Sequence, residues 1–233
     1  MTTSERTPLG APLTVLAAAT ATHGTGRDED IPLPKLPGFV ESAFSPLVFE
    51  VAARCLTARP CDGSRTAVVL AALTGDTTTA DLASSRMVSG RVHNPLLFMQ
   101  ATANSVLGHL SREFGITAQT FSVSTLRDAA SELLDMADLL LEDPELEHVL
   151  VVGVELGGGE RLDAVYRDLA TDGGLPVPAL PAGAGRSAAL LLGRADTAAV
   201  PTPAAPPVPP GSLQRLFDLA AAHRNETETH AHQ

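Results

Sequence analysis

The chain has 233 residues, enough for one substantial domain with a buried core or for two small ones. Hydrophobic residues make up 44% and charged residues 18% of the sequence, a balance typical of a globular protein. The formal net charge of −11 would repel a phosphate backbone, and no cluster of Lys and Arg offsets it locally, so we expect no nucleic-acid partner.

Cysteine content and hydropathy indicate the compartment. Cys55 and Cys61 are the only cysteines, and their spacing favours neither a zinc site nor a disulfide framework. We therefore expect a cytoplasmic protein without a bound metal or cofactor. The apolar stretch near the N-terminus is short and rich in threonine, and Arg6 before it is balanced by Glu5, so it does not predict a secretory signal. No stretch approaches the roughly 20 apolar residues of a membrane helix, so no membrane insertion is predicted.

Strands and helices alternate along the chain. Apolar runs of strand length predict five strands, at 14–19, 65–73, 120–123, 148–156 and 186–195. Capping residues and helical periodicity predict the helices. The first has Ser45 as its cap and Pro46 as its first residue, and the others cover 78–90, 95–115 after an Asn94 cap, and 125–143. This alternation predicts an α/β fold with a largely parallel sheet, in which the run 65–73 is central.

A change in composition divides the sequence near its C-terminal end. We predict a flexible N-terminus (1–11), one domain (12–197), a proline-rich linker (198–211), an amphipathic helix (212–224) and a disordered tail (225–233). The helix could fold back on its own domain or dock on another protein, and the sequence favours neither.

The stretch TFSVSTLRDAASELL, residues 120–134, joins the third predicted strand directly to a helix. The first N–H groups of a helix are unpaired and lie at the positive end of its dipole, so a cysteine placed there is a strong nucleophile. This stretch contains no cysteine. Thr125 and Asp128 have the spacing of a capping box, which predicts a structural cap at this point.

Four segments in order resemble the β-ketoacyl synthases of fatty acid and polyketide synthesis. They are NPLLFMQATANSVLGHLSREFGI (94–116), AQTFSVSTLRDAA (118–130), LEHVLVVGVEL (146–156) and AGRSAALLLGRA (184–195). The resemblance covers most of residues 12–195, and it is strongest to the short, N-terminal-half synthase-like proteins of aryl polyene and related pathways. It implies a thiolase-like half domain, a layered αβα fold with a mostly parallel five-stranded sheet.

The resemblance puts Arg127 in the place of the catalytic cysteine, with Ser124, Thr125 and Asp128 as neighbours. A guanidinium stays protonated and cannot act as a nucleophile, although it could bind a malonyl carboxylate or a phosphopantetheine phosphate. The histidines that the family draws from its second half have no counterpart in this sequence. The resemblance therefore implies an accessory subunit, chain-length-factor-like or scaffold, that is not catalytic alone.

The resemblance also implies how the chain pairs. In the family the nucleophile strand lies at the dimer interface, which corresponds here to Thr120, Phe121, Ser122 and Val123. The implied partner is a ketosynthase subunit or an acyl carrier protein, in a homo- or heterodimer. Two alternatives remain: an acyl-thioester transferase or condensing enzyme that uses an unrecognised nucleophile, such as a hydroxyl of this stretch, and a protein that only binds acyl chains.

Other candidate residues have simpler explanations. The histidines before the junction are predicted to be solvated or core residues, and those near the C-terminus to be solvated; they are His93, His109, His223, His230 and His232. The glycine clusters at 157–159 and 183–185 lack the context of a dinucleotide-binding loop, so we predict turns.

Overall fold

A computed structural model describes residues 13–90, 95–124, 128–171, 180–194 and 212–231. The predicted N-terminal segment and the predicted proline-rich linker lie outside the described residues.

The described residues contain one five-stranded sheet. Its strands are β1 (Leu13–His23), β2 (Thr66–Ala71), β3 (Thr120–Val123), β4 (His148–Leu156) and β5 (Gly185–Arg194), in the order β1-β5-β4-β2-β3. β2 is parallel to β3 and to β4, whereas β5 is antiparallel to both of its neighbours, β4 and β1. All strands except β5 therefore run in the same direction. The mostly parallel five-stranded sheet is confirmed, and the reversed β5 is a feature that the sequence did not predict.

Helices cover both faces of the sheet. They are α1 (Phe44–Ala58), α2 (Thr77–Val88), α3 (Pro95–Ala101), α4 (Ala103–Phe114), α5 (Ala129–Leu140), α6 (Glu160–Thr171) and α7 (Gln214–Ala231). α1 and α4 contribute to the core on one face, and α5 and α7 to the core on the other face. The layered αβα arrangement is thus confirmed.

β2 shows why the central strands read as continuous apolar runs. All six of its residues are buried. Alternate side chains point to opposite faces of a strand, so Val68 and Leu70 join the α1 and α4 core while Ala67 and Val69 join the α5 and α7 core. A strand that is covered on both faces has no position for a solvated polar residue.

Two helix starts differ from the sequence prediction. α1 begins at Phe44, so Ser45 lies inside the helix and is not its cap. The preceding Ser42 serves the start instead, because its hydroxyl accepts a hydrogen bond from the Phe44 N–H at 3.2 Å. The predicted helix over 95–115 is two helices that meet at Thr102, whose backbone is extended. The predicted Asn94 cap lies outside the described residues.

The C-terminal region differs most from the prediction. The sequence analysis missed α6, although Leu162, Val165 and Leu169 recur at helical spacing in its sequence. α7 is longer than the predicted helix and continues to Ala231, so the disorder predicted from Asn225 is wrong for residues 225–231. α7 packs against β1, β5 and α5, which settles the open question in favour of folding back on the same chain.

Candidate functional site

The junction between β3 and α5 is the candidate site. Ser124, the first residue after β3, donates a hydrogen bond from its hydroxyl to the Leu73 carbonyl at 2.5 Å. This bond ties the carboxyl end of β3 to the segment that follows β2, its neighbour in the sheet. Thr125 and Arg127, the latter at the predicted nucleophile position, lie outside the described residues.

Asp128 is the cap of α5. Its carboxylate accepts hydrogen bonds from the backbone N–H groups of Ala130 at 3.2 Å and Ser131 at 3.3 Å, and from the Ser131 hydroxyl at 2.7 Å. The capping-box prediction, which made Thr125 the cap, was therefore wrong, because the helix begins four residues later, at Ala129. The structural role predicted for Asp128 is confirmed, since a carboxylate at this end satisfies unpaired N–H groups and suits the helix dipole.

Arg215 of α7 reaches the same helix start. Its guanidinium donates to the Asp128 carboxylate at 2.9 Å and to the Ser131 hydroxyl at 2.7 Å. Partial burial raises the pKa of Asp128, but the hydrogen bonds from Ser131 and Arg215 outweigh that effect and hold this pKa below its ordinary value. Asp128 is therefore ionised at neutral pH and is a poor proton donor.

The side chains described at this junction do not form an activated nucleophile. The Ser124 hydroxyl donates to a carbonyl, and a hydroxyl without an adjacent base is inert. His109, predicted to be a solvated or core histidine, is partly buried, with its ring edge-on to Phe39 and Phe49 and its Nδ1 at 3.1 Å from the Arg112 guanidinium. Burial raises the pKa of the Cys55 thiol to about 12, so this cysteine is no substitute nucleophile.

β3 is an edge strand. Within the part of the chain that the structure describes, it pairs only with β2. The carbonyls of Gln119 and Val123 accept from β2, so the backbone groups of Thr120 and Ser122, in alternate positions, point away from the sheet. Of the four residues predicted as an interface, Thr120 and Ser122 therefore carry outward backbone groups that no other described strand pairs with.

Most of the exposed large apolar side chains belong to three neighbouring elements. Among the described residues, seven large hydrophobic side chains are exposed, and only Leu139 of these lies elsewhere. The other six belong to the loop before α1, to α2 and to α3, and we call them the α2–α3 patch: Val40, Met87, Val88, Leu96, Phe98 and Met99. α2 and α3 pack against each other, α3 contacts α4, and α4 contacts β3. Exposed apolar patches of this kind usually mark interfaces.

A buried ion pair at the end of β4 was missed by the sequence analysis. Glu155 is only 6% exposed and accepts a hydrogen bond from the Arg186 guanidinium at 2.6 Å. Burial and the nearby Glu155 carboxylate raise the pKa of Tyr166 to about 12. The available signal was a glutamate within the otherwise apolar run HVLVVGVEL, since a buried carboxylate needs a partner.

The two glycine clusters lie side by side, and the predicted turns are found only in part: 157–159 form the loop after β4, Gly183 lies in a turn, and Gly185 begins β5. The Gly157 N–H donates to the Ala184 carbonyl at 2.8 Å, and the Gly183 N–H donates to the Gly157 carbonyl at 3.3 Å. A side chain at Gly157 would collide with Pro181, since a Cβ there would lie 2.3 Å from its carbonyl oxygen. These glycines therefore allow two backbone segments to meet. Beside them is a small cleft of about 220 Å³ between Ser42, Thr78 and Leu156.

The described residues contain no group of three or more His, Cys, Asp and Glu side chains that could hold a metal ion. None of the helices in this part of the chain is long and apolar enough to cross a membrane.

Comparison with known proteins gives matches only at the level of structure. No family model matches the sequence, and no curated protein matches it. A chain of the complex between a ketosynthase and its chain length factor from Xenorhabdus doucetiae is similar with a TM-score of 0.58 and 16% identity, over 80% of each chain.

Two more solved structures resemble the chain. The ishigamide ketosynthase/chain length factor matches with a TM-score of 0.55 and 19% identity, over 71% of this chain and 48% of that one. A type II polyketide synthase acyl-carrier protein in complex with its ketosynthase bound to the hexaketide matches with a TM-score of 0.50 and 16% identity, over 66% and 46%. This chain thus spans less than half of the length of either of those two. At these identities the likeness concerns the fold, and it shows that the chain has a thiolase-like, ketosynthase-like fold.

Proposed function

We propose that this chain is a non-catalytic, ketosynthase-like accessory subunit that pairs with a ketosynthase in a polyketide, aryl polyene or fatty-acid-like pathway of the cytoplasm. The observation that carries the proposal is the free β3 edge, formed by the strand that leads into the candidate site. An unpaired strand edge offers backbone groups to another chain, and exposed apolar side chains nearby add to such a contact. The solved structures with this fold include ketosynthase and chain length factor complexes, which supports a ketosynthase as that partner.

The chemistry of the described junction supports an accessory role. Asp128 is held by hydrogen bonds from Ser131 and Arg215, and the Ser124 hydroxyl is held by a backbone carbonyl. These groups bind one another and stabilise the start of α5, and none of them combines a nucleophile with a base. The proposal also includes the assignment of Arg127 to the place of the catalytic cysteine, where it cannot act as a nucleophile.

An acyl carrier protein is the second proposed partner class, because one solved structure with this fold contains such a protein with its ketosynthase. Two of the solved structures with this fold contain a ketosynthase and a chain length factor, so we take the ketosynthase as the first partner to test.

The test is co-expression of the tagged chain with a ketosynthase and a carrier protein encoded by neighbouring genes. Light scattering after gel filtration should give a 1:1 complex with the ketosynthase, and intact mass should show this chain unmodified after incubation with an acyl thioester. A stable monomer that retains neither protein would contradict the proposal.

Two results would favour the alternatives. A covalent acyl adduct on this chain alone would indicate an acyltransferase or condensing enzyme. Retention of a free acyl group without turnover would indicate an acyl-chain-binding protein.

A further inference from the structure

The C-terminal helix α7 fills a prepared site on the sheet. Leu213, Leu216 and Ala220 are buried in the same core as α5. Gly153 in the middle of β4 makes room for them, because a Cβ there would lie 2.7 Å from a Leu216 methyl carbon and 2.8 Å from a Leu213 methyl carbon. A glycine inside a strand often marks such a close approach. The sheet is therefore shaped to receive this helix.

The buried carboxylate of β4 anchors the start of the same helix. One oxygen of Glu155 accepts from the Leu213 N–H at 2.7 Å, and the other accepts from Arg186. Arg186 in turn donates to the Gln214 side chain at 2.9 Å, and its guanidinium lies 4.5 Å from the centre of the Phe217 ring. Removal of α7 would leave Glu155 with one partner fewer and Arg186 without its aromatic cover, so docking of the helix and burial of this ion pair depend on each other.

Arg215 extends the contact from the sheet to the candidate site. It binds both Asp128, the cap of α5, and Ser131, which lies in the first turn of α5. Arg224, nine residues further along α7, instead donates to the Thr20 hydroxyl of β1 at 2.7 Å. The two arginines thus join α7 to different elements, Arg215 to the start of α5 and Arg224 to β1.

We propose that α7 is a built-in covering helix for the α5 face of the sheet, and that Arg215 is a positioning residue that holds the β3–α5 junction. α7 occupies the surface beside α5, so that surface is not available to another subunit, and the β3 edge remains the proposed place of docking. This last consequence rests on the proposed function, whereas the role of Arg215 does not.

The first experiment measures amide hydrogen exchange on the full chain alone. Arg215→Met should lower protection of the Ala130 and Ser131 amides by about ten-fold, the scale of one charge-assisted hydrogen bond, with little change in β2 and β4. Arg215→Lys should restore part of that protection, and Arg224→Met should leave these amides within two-fold of the wild type. A uniform loss of protection over the whole chain, or no loss at Ala130 and Ser131, would overturn the positioning role.

The second experiment tests the prepared site with trypsin. Gly153→Ala should speed cleavage after Arg215 by about ten-fold or more, since its methyl group displaces Leu213 and Leu216. The matched control is Gly193→Ala, another strand glycine, whose Cβ would meet Leu16 at 3.1 Å on the opposite core. Equal cleavage after Arg215 in the wild type and in both variants would overturn the covering role.

Binding to the ketosynthase separates this inference from the proposed function. If the exchange and cleavage results are as expected but the wild type binds no ketosynthase, the covering role of α7 stands and the proposed function fails. If the wild type binds, Arg215→Met should weaken that binding by about ten-fold and Arg224→Met should not. Equal binding by all three proteins would contradict the coupling between the junction and the β3 edge.

Discussion

The two edges of the sheet differ in how their outward backbone groups are satisfied. At the β1 edge other segments of the chain bind two of these groups: Arg54 donates to the Thr20 carbonyl at 3.2 Å, and the Ile31 N–H donates to the Thr22 carbonyl at 2.8 Å. At the β3 edge, no described segment binds the outward groups of Thr120 and Ser122. An unprotected edge invites pairing with another chain. Among the described residues, β3 is thus the edge whose outward groups have no partner, and the proposed association uses it.

The two edge strands also differ in length and in the elements that pack against them. β1 is an eleven-residue strand that packs against α1 and α7. β3 has four residues, all only partly buried, and is linked through α4 and α3 to the α2–α3 patch. A mutation near β1 should therefore change the stability of the chain alone, whereas a mutation near β3 should change its binding.

The largest expected effect is a loss of stability where α7 packs on the sheet. Leu216→Ala should lower the free energy of unfolding by about 2–5 kcal/mol, because Leu216 is fully buried between α7 and the sheet and its truncation leaves a cavity. Urea denaturation measures the change. Leu139→Ala is the control, since that side chain is 60% exposed and its loss should cost less than about 0.5 kcal/mol. Similar costs at both positions would show that α7 does not close this face.

The second effect concerns the free edge. Ser122→Pro removes an outward N–H but leaves the hydrogen bonds to β2 in place, so affinity for the ketosynthase should fall by about 100-fold, or about 2.7 kcal/mol, with little change in unfolding. Titration calorimetry measures the affinity. Ser122→Ala keeps the N–H and should bind as the wild type does. If proline has no effect on binding, β3 is not the pairing strand.

The sequence predicted the strands better than the C-terminal helices. β2 and β4 were found because strands covered on both faces are continuously apolar, and Gly115 correctly marked the end of α4 through its left-handed backbone, with φ of 64°. The second half of α7 was missed because it has few apolar residues, whereas α6 was missed although its apolar residues have helical spacing. Antiparallel β5 was not predicted because pairing direction depends on the path of the chain between strands, which local pattern does not encode.

The candidate site was predicted in part. The sequence identified the junction and the importance of Asp128, but it assigned the cap to Thr125 because both residues suit a helix start. Neither the Arg215 contact nor the Glu155–Leu213 contact could be predicted, since each joins residues more than 50 positions apart through packing of α7. Long-range side-chain pairs of this kind follow from the tertiary fold.

The third effect concerns the α2–α3 patch. Phe98→Ser should weaken ketosynthase binding by about ten-fold, because aromatic side chains contribute strongly to interfaces when they become buried. Phe98 is about half exposed in the chain alone, so unfolding should change little. Binding is measured as for Ser122→Pro, and Leu139→Ser, on the other exposed apolar residue, is the control. A loss of affinity with Leu139→Ser that equals the loss with Phe98→Ser would mean that hydrophobicity in general, and not this patch, drives association.

The smallest effect is the pH dependence of the Asp128–Arg215 pair. Asp128→Asn keeps a capping side chain but loses the charge, so it should lower the free energy of unfolding at neutral pH by roughly 0.5–1 kcal/mol, the scale of a partly exposed ion pair. Because the folded pKa of Asp128 is depressed, its contribution is complete above the unfolded pKa and is lost as pH falls through the folded pKa. Urea denaturation at pH 7 and at about pH 3 should therefore show the difference between the two proteins shrinking on acidification. A difference that stays constant between these pH values would mean that the charge of Asp128 contributes nothing and that only its hydrogen bonds hold α7 to the junction.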